Sequence, residues 1–225
     1  MNKQHWWPIR RQMVSVFHLL VLLALIGLPT SCLGLVRRYP QDPARVLEGL
    51  SGYVIMYLLI ICYARYAYRR CDQHPRKQAG TFKWVVGGYA AIIAGNIVFS
   101  VLNRFLYHQS STANNTVLSS LMHSNRVIMI ALVIGACTLA PIAEELVFRG
   151  VLMNTFFARD TFWPKVIMSG LVFSLEHLST TPISFLIYAY LGGVLAYVYR
   201  RSGQLQNSIL LHALNNLISV SALLG

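Results

Sequence analysis

Acidic residues are scarce in this 225-residue sequence: only 7 Asp and Glu stand against 19 Lys and Arg, and charged residues make up 12% of the chain. A soluble domain carries about 25% charged residues. With half that share and 56% hydrophobic residues, this chain lacks the charge to coat a soluble surface. The same apolar content excludes a disordered or fibrous chain. An integral membrane protein is the class that remains.

Cysteine is also scarce, with four residues and no Cys-x-x-Cys pair or Cys/His spacing typical of a metal site. This excludes a disulfide scaffold, and we interpret the thiols as buried or reduced. The net charge of +12 comes from short basic clusters between long apolar runs, a pattern typical of loops that flank transmembrane helices. We therefore expect the lipid bilayer as a partner and no nucleic acid.

The long apolar runs predict an all-α, polytopic transmembrane bundle with seven spans. The first run is 23 residues long and is followed by Arg37 and Arg38 instead of a cleavage site, so it is interpreted as a retained span. The fifth and sixth runs are short, which leaves a tilted or re-entrant pair, or an eighth segment, open. The predicted spans are Val14–Val36, Val46–Tyr68, Trp84–Tyr107, Val127–Thr155, Phe162–Leu178, Ile183–Tyr199 and Gln206–Leu224.

The polar segment His108–Asn125 predicts a division of the chain into N-terminal transmembrane helices, residues 1–125, and a catalytic helical core, residues 126–225. The orientation follows from the basic residues. Twelve Lys and Arg lie on the side of the N-terminus, four on the opposite side and three within spans. This bias predicts a cytoplasmic N-terminus.

Three of the four glutamates, Glu144, Glu145 and Glu176, lie inside apolar segments together with His177 and His212. An ionisable group near the bilayer centre costs at least ~2.5–3.5 kcal/mol, so such groups usually face a cavity and have a function. At ~1.5 Å per residue, Glu144, His177 and His212 lie about 15, 18 and 12 Å from the inner ends of their helices. Three separate helices would thus bring ionisable groups to a similar depth.

The spacing of these residues along their helices predicts the contacts that their side chains make. Glu145 and Arg149 are four residues apart, which predicts a buried ion pair with either a structural or a substrate-binding role. Glu144 projects about 100° away from Glu145, so we expect that the two do not face one reacting centre. Glu176 is interpreted either as a carboxylate that orients a histidine or as the partner of a nearby base. Phe173 is interpreted as a packing residue.

A carboxylate, two imidazoles and the amide of Asn216 suit the attack of water on an amide. A desolvated glutamate can act as a general base, and an amide can donate a hydrogen bond to the oxyanion of a tetrahedral intermediate. The water would be held by a histidine, or by a metal that histidines bind. The sequence contains no GxSxG or HExxH motif. The spacing of the glutamate, the two histidines and the asparagine is by itself enough to make hydrolysis by an activated water plausible.

Three motifs add a resemblance to this interpretation. Residues 144–149, EELVFR, are similar to the EExxxR motif of the CPBP family, the CAAX proteases and bacteriocin-processing enzymes also called Abi proteins. Residues 173–177, FSLEH, resemble its FxxxH motif, and residues 212–216, HALNN, resemble its HxxxN motif. Each pattern is weak alone. Together they occur in the order of the family over about Val127–Ile218.

The resemblance implies an intramembrane endopeptidase. It assigns activation of the hydrolytic water to Glu144, assistance to His177, and a histidine–oxyanion-binding pair to His212 and Asn216. The residues expected to support the site or to contact substrate are Glu145, Arg149, Glu176 and Phe173. Glu176 departs from the family pattern by placing an acid next to the motif histidine.

The resemblance leaves the cofactor open. The family is classed as metalloproteases, and if a divalent metal such as zinc is used, its ligands would be His177, His212 and Glu144. A metal-free glutamate mechanism is equally consistent. The substrate implied is a hydrophobic or prenylated, CAAX-type peptide. The setting implied is a bacterial cell membrane, with a role in bacteriocin processing or self-immunity.

Two other classes of function stay open. A non-catalytic immunity or scaffold protein would use the polar cluster structurally. A small proton-coupled transporter would use the glutamates and histidines as a relay. The transporter is disfavoured because the sequence shows no internal repeat.

Overall fold

The computed structural model of the protein describes residues 9–224, with side chains from residue 14 onward. This part of the chain contains nine helices and no strand, with α6 counted as one continuous helix. The helices are α1 (Ile9–Ile26), α2 (Pro29–Arg38), α3 (Pro43–Arg69), α4 (Phe82–Tyr107), α5 (Ala113–Ser124), α6 (Arg126–Thr155), α7 (Trp163–Leu175), α8 (Pro182–Ser202) and α9 (Leu205–Leu224). The basic side chains of Lys3, Arg10 and Arg11, which entered the orientation count, lie outside the described side chains.

Six segments are long and apolar enough to cross a membrane: α1 and α2 taken together, α3, α4, α6, α8 and α9. Only 17–44% of their most apolar windows is buried within the protein, so most of that surface faces outward. Helices satisfy their own backbone hydrogen bonds and can present such a surface to lipid. The protein is therefore an integral, multi-pass membrane protein, and the predicted all-α bundle is confirmed.

The fifth predicted span is shorter than expected. Helix α7 has 13 residues and a length of about 20 Å, less than the ~30 Å of a hydrocarbon core. The chain turns after Leu175, and Thr181 then caps α8 by accepting a hydrogen bond from the Ser184 amide. Pro182 disfavours helical backbone at the residue before it. A non-helical turn at residues 176–181 therefore follows a helix of partial length.

The first predicted span is bent, because Gly27 and Leu28 form a turn between α1 and α2. Pro29 has no amide hydrogen to continue the helix, and it starts α2 instead. The segment expected as a plain boundary at residues 108–125 contains a further helix, α5. The division predicted at residue 125 stays a prediction.

The connections between the helices lie at two opposite ends of the bundle. At the first end, which we call the basic end, the α3–α4, α6–α7 and α8–α9 connections meet. There the Gln78 amide donates to the Ser202 carbonyl, and Arg159 donates to the Asp72 carbonyl. At the second end, which we call the α5 end, the Asn114 amide donates to the Leu178 carbonyl.

Helices α7 and α8 pack closely through glycine. A Cβ atom added at Gly170 would lie 2.5 Å from the Ala189 carbonyl oxygen, a backbone atom that cannot rotate away. A Cβ atom added at Gly193, on the α8 side of the same contact, would meet no atom within 4 Å. The close approach therefore depends on Gly170.

We expect Gly170→Ala to lower the free energy of unfolding by about 1–3 kcal/mol, because overpacking forces α7 away from α8. Thermal unfolding of the purified protein in detergent measures the effect. Gly193→Ala is the matched control, and it should be neutral or slightly stabilising because alanine is the better helix former. Equal losses in both variants would contradict the close approach.

Candidate active site

A cavity of about 400 Å³ lies between the C-terminal helices and the first half of the chain. It is lined by Glu144 on α6, His177 after α7, and His212 and Asn216 on α9. Glu176 lines it as well. The convergence predicted from helix depth is therefore present in the structure. Gly27 and Thr30, at the bend between α1 and α2, form part of the same wall.

Glu145 is the carboxylate that contacts both Arg149 and His212. Its Oε1 atom accepts a hydrogen bond from Arg149 Nη1 at 2.8 Å and lies 2.9 Å from His212 Nδ1. Arg149 Nη2 donates to the Gly192 carbonyl on α8 at 2.8 Å. Glu145 and Arg149 have 0% side-chain exposure, so the predicted buried ion pair is confirmed. Neither lines the cavity, and both connect α6 to its neighbours α8 and α9.

His212 contacts both glutamates, but only Glu144 lines the cavity, so the two carboxylates do not face one reacting centre, as expected. Since a carboxylate only accepts hydrogen bonds, the Nδ1–H of His212 donates to Glu145. The other ring nitrogen, Nε2, lies 3.8 Å from Glu144 Oε2. The two carboxylates leave α6 in different directions, but the imidazole between them presents one nitrogen to each.

Glu144 keeps one oxygen unpaired. Its Oε2 atom is buried and has no hydrogen-bond partner among the described residues. A buried polar atom without a partner costs free energy, and in a native structure it commonly marks a functional role or an ordered water. Glu144 also lines the cavity and its side chain is 19% exposed, so water can reach the carboxylate although this oxygen is buried.

His177 is oriented by the backbone. Its Nδ1 atom lies 2.8 Å from the Phe173 carbonyl oxygen, so Nδ1 carries the hydrogen in the neutral ring and Nε2 is the acceptor. The ring lies 4.4 Å from the Phe173 ring and stacks on Tyr188 at 4.5 Å. Glu176 does not orient this histidine, because the Phe173 carbonyl holds that position. Glu176 is an exposed carboxylate at the cavity wall.

Asn216 is held by an irregular part of α6. Its Nδ2 donates to the Ala136 carbonyl at 2.9 Å, which leaves the second amide hydrogen for another acceptor. Ala136 belongs to the first of two π-helical segments in α6, Gly135–Leu139 and Leu146–Leu152, which flank the glutamates. Such segments are frequent at functional sites.

The sequence analysis did not single out several polar residues of the cavity wall, and four of them lie close to the candidate site. Tyr188 stacks on His177, and its hydroxyl is 2.6 Å from Thr112 Oγ1. Tyr53, Tyr57 and Asn215 line the cavity beside Glu144 and Asn216. The sequence places Tyr188 four residues after Ser184 on the buried face of α8, which predicts burial but not a histidine contact. Phe173, expected to pack, is fully buried with Arg149 over its ring at 4.8 Å.

The suggested metal ligands do not form a ligand set in this structure. Across the described residues, no three His, Cys, Asp or Glu side chains converge as a metal site would require. Both nitrogens of His212 face carboxylates, and Nδ1 of His177 is bonded to a carbonyl. The three suggested ligands, as they are placed, do not form a complete ligand set, and metal dependence stays a prediction.

We expect Arg149→Met to lower the free energy of unfolding by about 3–5 kcal/mol, because it leaves Glu145 as a buried charge without its cation. Unfolding in detergent, measured in a cycle with Glu145→Gln and the double variant, reports the coupling. The double variant should recover a large part of the loss. Additive losses would contradict an energetically coupled pair.

This chain is similar to two bacterial proteins over most of its length. It is 18% identical to "Putative membrane peptidase YdiL" of Bacillus subtilis, over 96% of this chain and 87% of that protein. It is 27% identical to "Uncharacterized 24.3 kDa protein" of Escherichia coli, over 86% of this chain and 90% of that protein. No solved structure matches.

A family model matches the part of the chain that carries all three motifs. The model is described as type II CAAX prenyl endopeptidase Rce1-like, and it matches residues 125–218. The matched range contains Glu144, Glu145, His177, His212 and Asn216, the residues singled out by their depth and spacing. Residues 125–218, the C-terminal helices of this chain, are therefore similar to the Rce1-like family of type II CAAX prenyl endopeptidases.

Proposed function

We propose that the protein is an intramembrane endopeptidase that hydrolyses a peptide bond of a hydrophobic or prenylated, membrane-associated peptide by glutamate-activated attack of water. One observation carries the proposal. The unpaired Oε2 of Glu144 lies beside Nε2 of His212, and Glu145 with Arg149 holds the opposite side of that imidazole. His177 and Asn216 line the same cavity.

The first step is attack on the carbonyl. A water between Glu144 and His212 donates one hydrogen to Glu144 Oε2 and the other to His212 Nε2, since both atoms are acceptors. The Glu144 carboxylate removes a proton as the water oxygen bonds to the carbonyl carbon. The carbonyl oxygen becomes an oxyanion, which the second amide hydrogen of Asn216 stabilises.

The second step breaks the peptide bond. The oxyanion reforms the carbonyl, the C–N bond breaks, and the leaving amine takes the proton held by Glu144. The products are a carboxylic acid and an amine, and Glu144 is again a carboxylate. We assign to His177 Nε2 the role of acceptor for a hydrogen bond from an N–H group of the substrate, because Nδ1 donates to the Phe173 carbonyl.

The negative charge of the cavity wall supports a preference for one class of peptide substrate. Its lining contains two carboxylates, Glu144 and Glu176, two histidines, and no Lys or Arg among the described residues. This acidic wall contrasts with the net charge of +12 of the whole chain. We propose that the site favours peptides with a basic residue near the scissile bond, and that Glu176 contacts it.

We also propose that the protein lies in a bacterial cell membrane with a cytoplasmic N-terminus. The bacterial relatives support the first part. The meeting of three basic connections at the basic end supports the second, because positively charged loops favour the cytoplasmic side. The cavity then lies nearer the α5 end, on the side away from the cytoplasm.

Glu144→Gln should abolish cleavage, with a loss of at least about 100-fold, because the amide cannot accept the proton of water. The measurement is mass spectrometry of peptide termini in cells that express wild type or variant. The same protein in detergent is tested on a farnesylated CAAX peptide and on hydrophobic peptides. Glu48→Gln, a change at an exposed glutamate on α3, is the matched control and should keep full activity.

Identical sets of termini in wild type and Glu144→Gln would contradict the protease. Chelator is added in a parallel assay, and activity should persist. Loss that zinc restores would instead assign a metal to the site and leave the peptidase in place. In a bacteriocin challenge, protection that survives both Glu144→Gln and His212→Gln would support the non-catalytic scaffold.

Glu176→Gln should lower kcat/KM about 2- to 5-fold for a peptide with lysine near the scissile bond, because the lost pair is partly exposed to solvent. The same peptide with glutamine in place of lysine should be cut equally well by wild type and variant. A loss of the same size on both peptides would show that Glu176 supports the site instead of selecting the substrate.

A further inference from the structure

A second concavity lies on the outside of the bundle. It is an apolar groove of about 610 Å³ between α4, α7 and α8, and no charged side chain lines it. Its residues are different from those of the active-site cavity, with none shared. Ile167 and Leu171, on its α7 wall, are exposed apolar side chains on the surface that faces lipid.

Two glycines keep the groove open. A Cβ atom added at Gly87 on α4 or at Gly193 on α8 would meet no atom within 4 Å. Other glycines on the same helices fill tight contacts: a Cβ atom at Gly88 would lie 2.7 Å from Leu211 and Val198 side-chain atoms. The free space therefore belongs to the groove itself and can hold a flexible apolar chain.

Aromatic rings and cations close the groove at the basic end. Trp84 and Tyr197 form part of its lining, with their rings 6.0 Å apart. Lys83 Nζ lies 5.4 Å from the Trp84 ring, and the Arg201 guanidinium lies 5.2 Å from the Tyr197 ring. Arg201 Nε also donates to the Tyr197 hydroxyl at 3.1 Å.

Both cations are available to a ligand. Lys83 and Arg201 are exposed, and neither forms an ion pair with a carboxylate in the part of the chain that the structure describes. Arg201 uses one of its five N–H donors on Tyr197, so its remaining donors can bind an anion. Basic pockets between transmembrane helices at the cytoplasmic side commonly bind the headgroups of anionic lipids.

We propose that this groove is a binding site for an anionic phospholipid. One acyl chain lies along Gly87 and Gly193, and the phosphate group binds Lys83 and Arg201. Charge complementarity carries the choice of occupant: two unpaired cations stand where an apolar chain would leave the groove at the membrane surface. The site is independent of the peptidase chemistry, since it shares no residue with the cavity.

The test is lipid binding to the purified full-length protein, measured by native mass spectrometry and by thermal unfolding in detergent. The probes are phosphatidylglycerol and phosphatidylcholine with identical acyl chains. Wild type should bind phosphatidylglycerol more tightly and unfold at a higher temperature with it. Lys83→Gln with Arg201→Gln should weaken phosphatidylglycerol binding about 10- to 30-fold and leave phosphatidylcholine binding unchanged.

Filling the groove tests the acyl chain separately. Gly87→Leu with Gly193→Leu should reduce binding of both lipids. Gly34→Leu is the matched control, because a Cβ atom there also meets nothing within 4 Å and Gly34 lies on α2, away from the groove. Arg37→Gln with Arg38→Gln is the control for charge, since both are exposed at the α5 end.

Each of three results would overturn the proposal. The first is a preference for phosphatidylglycerol that persists in the Lys83 and Arg201 variant. The second is lipid binding that survives the filled groove. The third is displacement of phosphatidylglycerol by a farnesylated peptide that wild type cleaves, which would assign the groove to the substrate. Unfolding of each variant without lipid confirms that it is folded before binding is measured.

Discussion

The buried contact of Arg149, Glu145 and His212 is the interaction on which the rest of the site depends. One carboxylate oxygen receives a hydrogen bond from the guanidinium and one from the imidazole. The second guanidinium nitrogen of Arg149 donates to the Gly192 carbonyl, so the Glu145–Arg149 pair on α6 joins this helix to α8 and α9. Charges buried in this way are costly unless they are paired, and a site that loses one partner loses the geometry of the others. The orientation of His212, and with it the setting of Glu144, follows from this pairing.

Helix α6, which carries the candidate site residues Glu144 and Glu145, changes its winding in two places. The π-helical segments Gly135–Leu139 and Leu146–Leu152 lie on either side of the glutamates. The first includes the Ala136 carbonyl that holds Asn216, and the second contains Arg149. A regular helix would use its carbonyls on its own amides, whereas this one offers a carbonyl to a neighbouring helix. The irregular winding thus holds the amide of Asn216 in the wall of the cavity that Glu144 also lines.

The two concavities of the molecule have opposite electrostatic character. The inner cavity has carboxylates and imidazoles, and it approaches the α5 end through Glu176 and the α5 residue Asn115. The outer groove is apolar and ends at Lys83 and Arg201 on the basic end. A peptide bond can therefore be bound away from lipid while the lipid-facing surface meets the bilayer. The turn after α7 contributes to the separation, because it leaves His177 inside the cavity instead of on an outward helix face.

The amino-acid order alone is enough to predict the membrane class, the approximate bounds of the apolar helices and the pairing of Glu145 with Arg149. These depend on composition and on spacing within one helix, where neighbours lie three or four residues apart. Only the tertiary structure decided that α7 has partial length, that the first span bends at Gly27, and that His212 bridges two glutamates. The contact of His212 with Glu145 spans 67 residues of chain. Packing between helices determines such contacts, and local periodicity along one helix does not record which faces will meet.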